Sequence, residues 1–572
     1  MKKELKFVKE YINPHKKVII ISVIIIFISS LFGLTYGYLN GKAIELATNL
    51  NIKLSILYFL LYFLVSIFSS TLLSQYGYYL LNKTKMKIIN KINLDTYNKT
   101  LNLPSYAFEE KSSGEIINRV THDAEVVTNS FSELLDVVRN LIGSFIIFVY
   151  VIYNSYIVGL EILIFIIIFA IIVNYFNPKI KKINKEVKEV NDKYTSDVSE
   201  TVRGIREIKT LGIKDNLFTD IKNIIGRLFD KQKYELELDV KYDVVMDIFR
   251  IILEVGVFIT CAILLYQGKT NLTFFIAMTY YVYRYTWLVE NFSRFSKTLQ
   301  RSKVSLSRIN EILSNNLYAD ETFGNIELDK SPKTIEFKNV TFKYKEDDNT
   351  TLNNFNIKIE PNKKIAIVGR SGQGKSTLFN LMTRIFDTKE GEILINGINI
   401  KDIKEESLRN NISIIRQDPF IFNRTIKDNF KILNPNITLK EIKEYCKKAY
   451  INDYIESLKN GYDTLIGEGG VNLSGGQKQR LAIARTLAKK SDIILFDEAT
   501  SALDNESQSY IKKSIDSLVK DHTIVIVAHR LSTIVDADII YIVENGKVVD
   551  SGTHEYLLKK SPYYKNLYKN EE

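Results

Sequence analysis

Six long apolar runs, all in the first half of the chain, limit what it can fold into more than any other feature. They cover residues 18–39, 54–81, 135–153, 156–176, 244–266 and 272–289. Each is close to the ~20 residues that a helix needs to cross the hydrocarbon core of a bilayer. Inside a bilayer every backbone N–H and C=O must be satisfied within the segment, so such runs are expected as helices. Lysines set their direction by the positive-inside rule. Lys16 and Lys17 precede the first run, Lys83, Lys85, Lys87 and Lys91 follow the second, and Lys179, Lys181, Lys182 and Lys185 follow the fourth. The intervening turns 40–53, 154–155 and 267–271 are short and poor in lysine, so they fall outside and both termini fall in the cytoplasm.

The excess of 77 Lys+Arg over 66 Asp+Glu, net +11, sits largely beside the apolar runs. It therefore points to anionic lipid rather than to nucleic acid, for which no module is visible. The two cysteines, Cys261 and Cys446, form neither a disulfide framework nor a metal cluster. Met1-Lys2-Lys3 does not open a cleavable leader, because no small-residue cleavage site follows. The two inner connections are long and carry helical periodicity. They read as extensions of the membrane helices that turn back through short transverse helices, at 113–119 and 201–207. Residues 315–333 are polar and read as a linker, and from 334 onward strands alternate with helices in an α/β pattern.

Three motifs in that second half carry chemistry. Residues 369–377, Gly-Arg-Ser-Gly-Gln-Gly-Lys-Ser-Thr, follow the apolar strand 365–368 and precede a helix, the context a phosphate-binding loop needs. Gly369, Gly372 and Gly374, with Arg370, Ser371 and Gln373 between them, let backbone amides approach phosphates at a helix N-terminus. Lys375 is placed to reach the β- and γ-phosphates, and Ser376 to ligate Mg²⁺, with Thr377 beside it. Downstream, the strand 493–496 ends in Asp497 and Glu498: the first suits Mg²⁺, the second suits polarising an attacking water. Gln417, after the strand 412–415, could sense the γ-phosphate and the metal. A lone histidine is more often structural, but His529 ends the strand 523–528, where α/β proteins form ligand sites. Between these motifs lies Leu473-Ser474-Gly475-Gly476-Gln477.

Taken together these residues resemble the nucleotide-binding domain of the ABC transporter family, and the first half resembles the six-helix exporter (type IV) half-transporter. The resemblance covers essentially the whole chain. It implies a multidomain fold: an all-α six-helix transmembrane domain over 1–314, a linker at 315–333, and an α/β P-loop ATPase with a helical signature subdomain over 334–572. It implies ATP and Mg²⁺ as cofactors, Tyr344 stacking on adenine, Gln417 in the Q-loop, Asp504 in the D-loop, His529 as the switch histidine and Glu468 in the X-loop. Gly469 stands where many exporters carry arginine. Ser474, Gly475, Gly476 and Gln477 would cap the ATP held by a second copy, so the working unit would be a homodimer or a pair with a paralogous half-transporter, multi-pass in the plasma or inner membrane.

For cargo the spans offer ionisable residues, which are costly there and mark cavities or partners. Asp243, Asp247, Arg250 and Glu254 share one helix face, and Arg284 lies among Tyr280, Tyr281, Tyr283 and Tyr285. Glu254 and Arg284 fall at similar depth, so they either pair and order the hairpin or jointly line a cavity. Asp247, Arg250, Glu254, Tyr281 and Arg284 are the candidate cavity residues. Tyrosines suit amphipathic cargo, and the excess of acidic groups in the spans, Asp136 and Glu161 included, tilts toward a cationic or zwitterionic one. The expected activity is ATP-driven export of an amphipathic drug, peptide or lipid. Lipid flipping, import on an exporter fold and ATP-gated regulation without transport are the alternatives.

Overall fold

The structure, a computed structural model, describes residues 7–110, 113–314, 321–344, 349–370, 372–467, 470–497, 505–528 and 533–569. The chain divides into two units, one formed by Met1–Leu101 with Ser113–Leu317, the other by Asn102–Ser112 with Tyr318–Glu572.

The first unit is built on six long helices: α1 (Lys16–Thr48), α2 (Ile52–Leu101), α3 (Asp123–Asn154), α4 (Tyr156–Arg203), α5 (Lys214–Tyr266) and α6 (Leu272–Leu313). Among the described residues five of them are long and apolar enough to cross a membrane. The sixth predicted run lies within α6, where four tyrosines and Arg284 dilute the apolar character that the other five keep. α6 packs along α3 and α1, and α4 pairs with α5. Gly37 and Gly41, one helical turn apart, let α1 and α6 approach closely. A Cβ on Gly37 would sit 3.0 Å from the Tyr281 ring, and one on Gly41 3.1 Å from Cα of Thr273. This is the small-residue packing that joins helices where water supplies no hydrophobic drive.

Two sequence expectations need correction. The outer turn expected at 40–53 is mostly helix: α1 runs to Thr48 and α2 starts at Ile52, because Gly41 and Ala43 pack inward and extend the helix. The first transverse helix was expected at 113–119. A helix spans Ser113–Thr121, as expected, and it belongs to the membrane unit, where buried Arg119 donates from Nη1 to Glu311 Oε2 of α6 at 2.7 Å. The stretch that groups with the second unit lies just before it, Asn102–Ser112, with the short helix Tyr106–Glu110 and buried Leu103 and Ala107. The second transverse helix is displaced from 201–207: α4 runs on to Arg203, Gly204 turns the chain, and Ile205–Leu211 forms a short helix ended by left-handed Gly212.

The second unit carries two main sheets. A four-stranded sheet has the order β2 (Leu352–Ile359), β1 (Ile335–Phe342), β4 (Glu390–Ile395), β5 (Ile398–Asn399). A six-stranded sheet has the order β12 (Lys547–Gly552), β11 (Ile539–Glu544), β3 (Lys364–Val368), β10 (Thr523–Val527), β9 (Ile493–Asp497), β6 (Ile412–Ile415). From β11 to β6 this sheet is parallel. β3 and β10 are buried along their whole length, as strands covered on both faces must be. A helical portion follows β6, joined by the small pair β7 (Arg424–Thr425) and β8 (Leu465–Ile466). Part of the polar segment before 334 is anchored: Phe323 lies between the guanidinium groups of Arg384 and Arg409, 4.4 and 5.5 Å from its ring centroid.

Candidate functional site

The parallel registers place the carboxyl ends of β3, β10, β9 and β6 along one edge, the edge at which α/β sheets bind ligands. Asp497, the last residue of β9, is level with Val527 of β10, and Phe496 is level with Ile415 of β6. The phosphate loop leaves β3 on this edge and enters the helix Lys375–Met382. Gly374 is its N-cap at φ 87°, a left-handed backbone, and a Cβ there would meet the Thr351 carbonyl at 3.0 Å. Glycine is thus required twice over, by conformation and by space.

Lys375 is buried and its Nζ folds back to donate to the carbonyls of Gly369 and Arg370, each at 2.8 Å. The ammonium is therefore held across the mouth of its own loop. Ser376 Oγ donates to Asp497 Oδ1 at 3.1 Å, so the two residues expected at the metal, 121 positions apart in sequence, do meet. Both are hard oxygen donors, and that separation is close to the edge of an octahedron with ~2.1 Å bonds, so they fit Mg²⁺. Thr377 shares a 3.0 Å hydrogen bond with the Tyr344 hydroxyl. The Tyr344 ring is itself set edge-on to Phe342 and Phe386, at 5.0 and 5.2 Å, and is 39% exposed. The Gln417 side chain is exposed two residues past β6, and its carbonyl accepts from Gln479 Nε2 at 3.1 Å. Ser371, Glu498, Asp504 and His529, as well as Glu468 and Gly469, lie outside the described residues.

Ser474 is the N-cap of the helix Gly475–Lys489 in a capping box. Its Oγ accepts from Gln477 N at 3.3 Å, and Gln477 Oε1 accepts from Ser474 N at 2.8 Å. Ser474 and Gly475 are exposed, whereas Gly476 is buried. Sequence reasoning passed over the role of Gln373: its side chain accepts from Asn545 N, tying the phosphate loop to the turn between β11 and β12. The Asn545-Gly546 pair in that turn, both with positive φ, was the available signal. It also passed over a cationic cleft of about 460 Å³ lined by Arg409, Arg416, Phe420, Arg485 and Lys489 among others. Burial there, with Arg409 nearby, lowers the Lys489 ammonium to about 8.

In the membrane unit, Tyr281 and Arg284 line a cavity of about 250 Å³ with Tyr36 and Gly37 of α1 and Tyr280 and Tyr283 of α6. The expected partner of Arg284 is not there: among the described residues no ion pair joins it to Glu254. Its guanidinium instead lies against Gly143 of α3, where a Cβ would come within 2.9 Å of Cζ. Asp247 pairs with Arg250 on its own helix at 3.1 Å, one turn apart. Equal depth in two helices fixes height but not azimuth, and azimuth decides the partner.

Helices able to cross a membrane, joined in one chain to a P-loop unit with a preformed hydroxyl–carboxylate pair, define a nucleotide-driven membrane protein. Residues 19–288 match the ABC transporter transmembrane region and residues 352–501 the ABC transporter nucleotide-binding portion. The chain belongs to the ABC transporter family: it is a membrane protein with an ATP-binding domain that hydrolyses ATP to drive export. YgaD of Bacillus subtilis (strain 168), named for multidrug export, is 32% identical over 498 residues, covering 86% of this chain and 85% of that one. The ATP-dependent lipid A-core flippase of Haemophilus influenzae (strain 86-028NP) is 31% identical over 500 residues, with 86% and 84% covered. A bacterial Atm1-family ABC exporter solved with ATP bound superposes with a TM-score of 0.81 over 97% of this chain and 99% of that one, at 22% identity, a likeness of fold.

Proposed function

We propose that two copies of this chain close on two ATP molecules and so switch a shared cavity from inward- to outward-facing, moving an amphipathic molecule out of the cytoplasm. In this reading Gly369, Arg370, Ser371, Gly372, Gln373, Gly374, Lys375, Ser376 and Thr377 cradle the phosphates and Tyr344 stacks on adenine. Ser376, Asp497 and Gln417 would hold Mg²⁺, which neutralises phosphate charge when bound. Glu498 orients the attacking water, with His529 and Gln417 sensing the γ-phosphate. Ser474, Gly475, Gly476, Gln477 and Asp504 serve the ATP of the other copy. Both termini and the ATPase are cytoplasmic.

The observation that carries the paired arrangement is the exposed, capped start of the Gly475–Lys489 helix. It is a helix N-terminus with its first amides and a hydroxyl available to an anion. Fused dimers test it. With Lys375→Ala in one copy and Ser474→Arg in the other, both defects fall in one shared site, and the dimer in a Glu498→Gln background should trap one ATP. With both substitutions in a single copy, both shared sites are damaged and trapping should vanish. The opposite distribution would show that each copy completes its own site.

A further inference from the structure

Among the described residues, the tyrosine-lined cavity of the membrane unit holds one charge that nothing balances. Its hydroxyls are engaged: Tyr36 with Ser69 Oγ at 2.7 Å, Tyr280 accepting from Asn40 at 2.8 Å, Tyr281 donating to the Leu34 carbonyl at 2.7 Å, and Tyr283 with a partner as well. Arg284 differs. Its Nε is buried without a hydrogen-bond partner, and among the described residues no carboxylate pairs with it. A nearby cation on α3, Arg139, is already matched. Asp136 lies 3.1 Å from Arg139 Nη2 and accepts from the Tyr78 hydroxyl at 2.7 Å.

Pairing removes two span carboxylates from the charge count that bears on this cavity. Asp136 and Asp247 contribute to an acidic excess in the spans, but each is neutralised by the arginine three residues on. What remains facing the cavity is a guanidinium. A charge at membrane depth without a partner is costly and marks a functional position. A planar fork of N–H donors is shaped for carboxylate or phosphate. The fold also makes room for it: Gly143 removes the side chain that would otherwise press on the guanidinium.

We propose that this cavity receives the anionic group, a phosphate or carboxylate, of an amphiphile whose apolar body lies along the tyrosine rings, and that Arg284 is the residue that selects for it. This rests on the exporter reading and names its substrate class.

The test uses the full chain in phosphatidylcholine nanodiscs, with radiolabelled dodecyl phosphate as the probe. Wild type should bind it saturably, and dodecyltrimethylammonium, the cation of the same chain length, should not displace it. Arg284→Gln should weaken binding at least ~10-fold, while Arg284→Lys, which keeps the charge, should stay within ~3-fold. That pattern cannot come from misfolding, since both variants lose the same guanidinium. Equal binding by Arg284→Gln, displacement by the cation, or no saturable binding to wild type overturns the proposal. Phosphatidylglycerol doped into the nanodisc separates the sources: displacement of the probe identifies an acidic lipid, and its absence a soluble anionic amphiphile. ATP-driven movement of the probe into proteoliposomes is scored separately. Binding without movement removes the exporter reading and leaves the anion site, whereas movement insensitive to Arg284→Gln does the reverse.

Discussion

The two units solve the placing of charge in opposite ways. In the ATPase unit the functional groups come from strand ends that a parallel sheet holds level, so Ser376 and Asp497 meet because β3 and β9 share an edge through β10. One of its buried cations is also held between two carboxylates. Lys364, nearly inaccessible, donates to Asp516 at 2.9 Å and Asp536 at 2.8 Å. In the membrane unit the cavity comes from residues on separate helices, Tyr36, Ile147 and Arg284, and among the described residues one cation is left without a counter-charge. The sheet imposes its geometry through backbone hydrogen bonds. The bundle imposes it through side-chain packing and side-chain hydrogen bonds, so one methyl in the wrong place should disturb it.

The largest expected effect tests the rigid side. Lys375→Ala removes the ammonium that spans the loop mouth, and ATPase turnover should fall by at least ~10²-fold, as when a single charge-stabilising donor is lost. The fold should survive, because Gly369 is only half-buried and Arg370 is exposed, so water can reach the two carbonyls that lose their donor. An ATPase assay beside a melting curve checks both halves of the statement. The next effect tests the bundle. Gly41→Leu would drive a side chain into the Thr273 backbone, which cannot give way as a flexible side chain can. Overpacking of this kind costs ~1–3 kcal/mol or more, so the variant should show a lower melting point in detergent, with ATP affinity changed little. A change in ATP affinity as large as the loss of stability would break the contrast between the two units.

This contrast also explains what could be read from residues alone. The phosphate loop, the Asp497 strand end and the capped Ser474 helix are local in sequence, and each local rule holds in the structure: Gly374 is left-handed, β9 ends at Asp497, and Ser474 forms its box with Gln477. Meeting across 121 residues followed because parallel strands bring their carboxyl ends level. The six helices were legible from apolar length, yet the first outer turn and the second transverse helix were displaced: Gly41 and Ala43 pack inward and extend α1, and α4 runs on until Gly204. Nothing in the stretch 113–119 marks Arg119 as the residue that is buried against Glu311. Arg284 reads as either pairing with Glu254 or lining a cavity with it; it lines the cavity without Glu254 and rests on Gly143. Helical spacing gives the face of one helix. The rotation of its neighbour comes from small residues such as Gly37 and Gly143, whose partners lie more than a hundred residues away.

A middle-sized effect probes the Ser113–Thr121 helix. Arg119→Ala removes the guanidinium bound to Glu311, a carboxylate about one-third exposed. Breaking a fully buried pair costs ~3–5 kcal/mol, and partial exposure of Glu311 reduces this to about 2 kcal/mol. Replacing both partners, Arg119→Met with Glu311→Met, should recover most of the loss, because no orphaned charge remains. A double-mutant cycle on the melting free energy reads the coupling, and additive losses would show that the pair does not hold this helix to the bundle.

The smallest effect concerns the cationic cleft of the ATPase unit. Burial holds the Lys489 ammonium at about 8, while its Nζ donates to the Ile412 carbonyl at 3.0 Å. In the unfolded chain the same group titrates near ~10.4. Between these values the unfolded chain holds the extra proton, so the folded state gains stability as pH rises from about 8 toward ~10.4. Below pH 8 the group is protonated in both states and its burial is a fixed penalty. Lys489→Met removes the titrating group and with it this rise. Melting curves of the two proteins should therefore converge by roughly 1–2 °C as pH goes from 7.5 to 10, with the wild type gaining. Parallel curves over that range would mean that the cleft admits enough water to solvate the ammonium, and that even the ATPase unit leaves one cation effectively exposed.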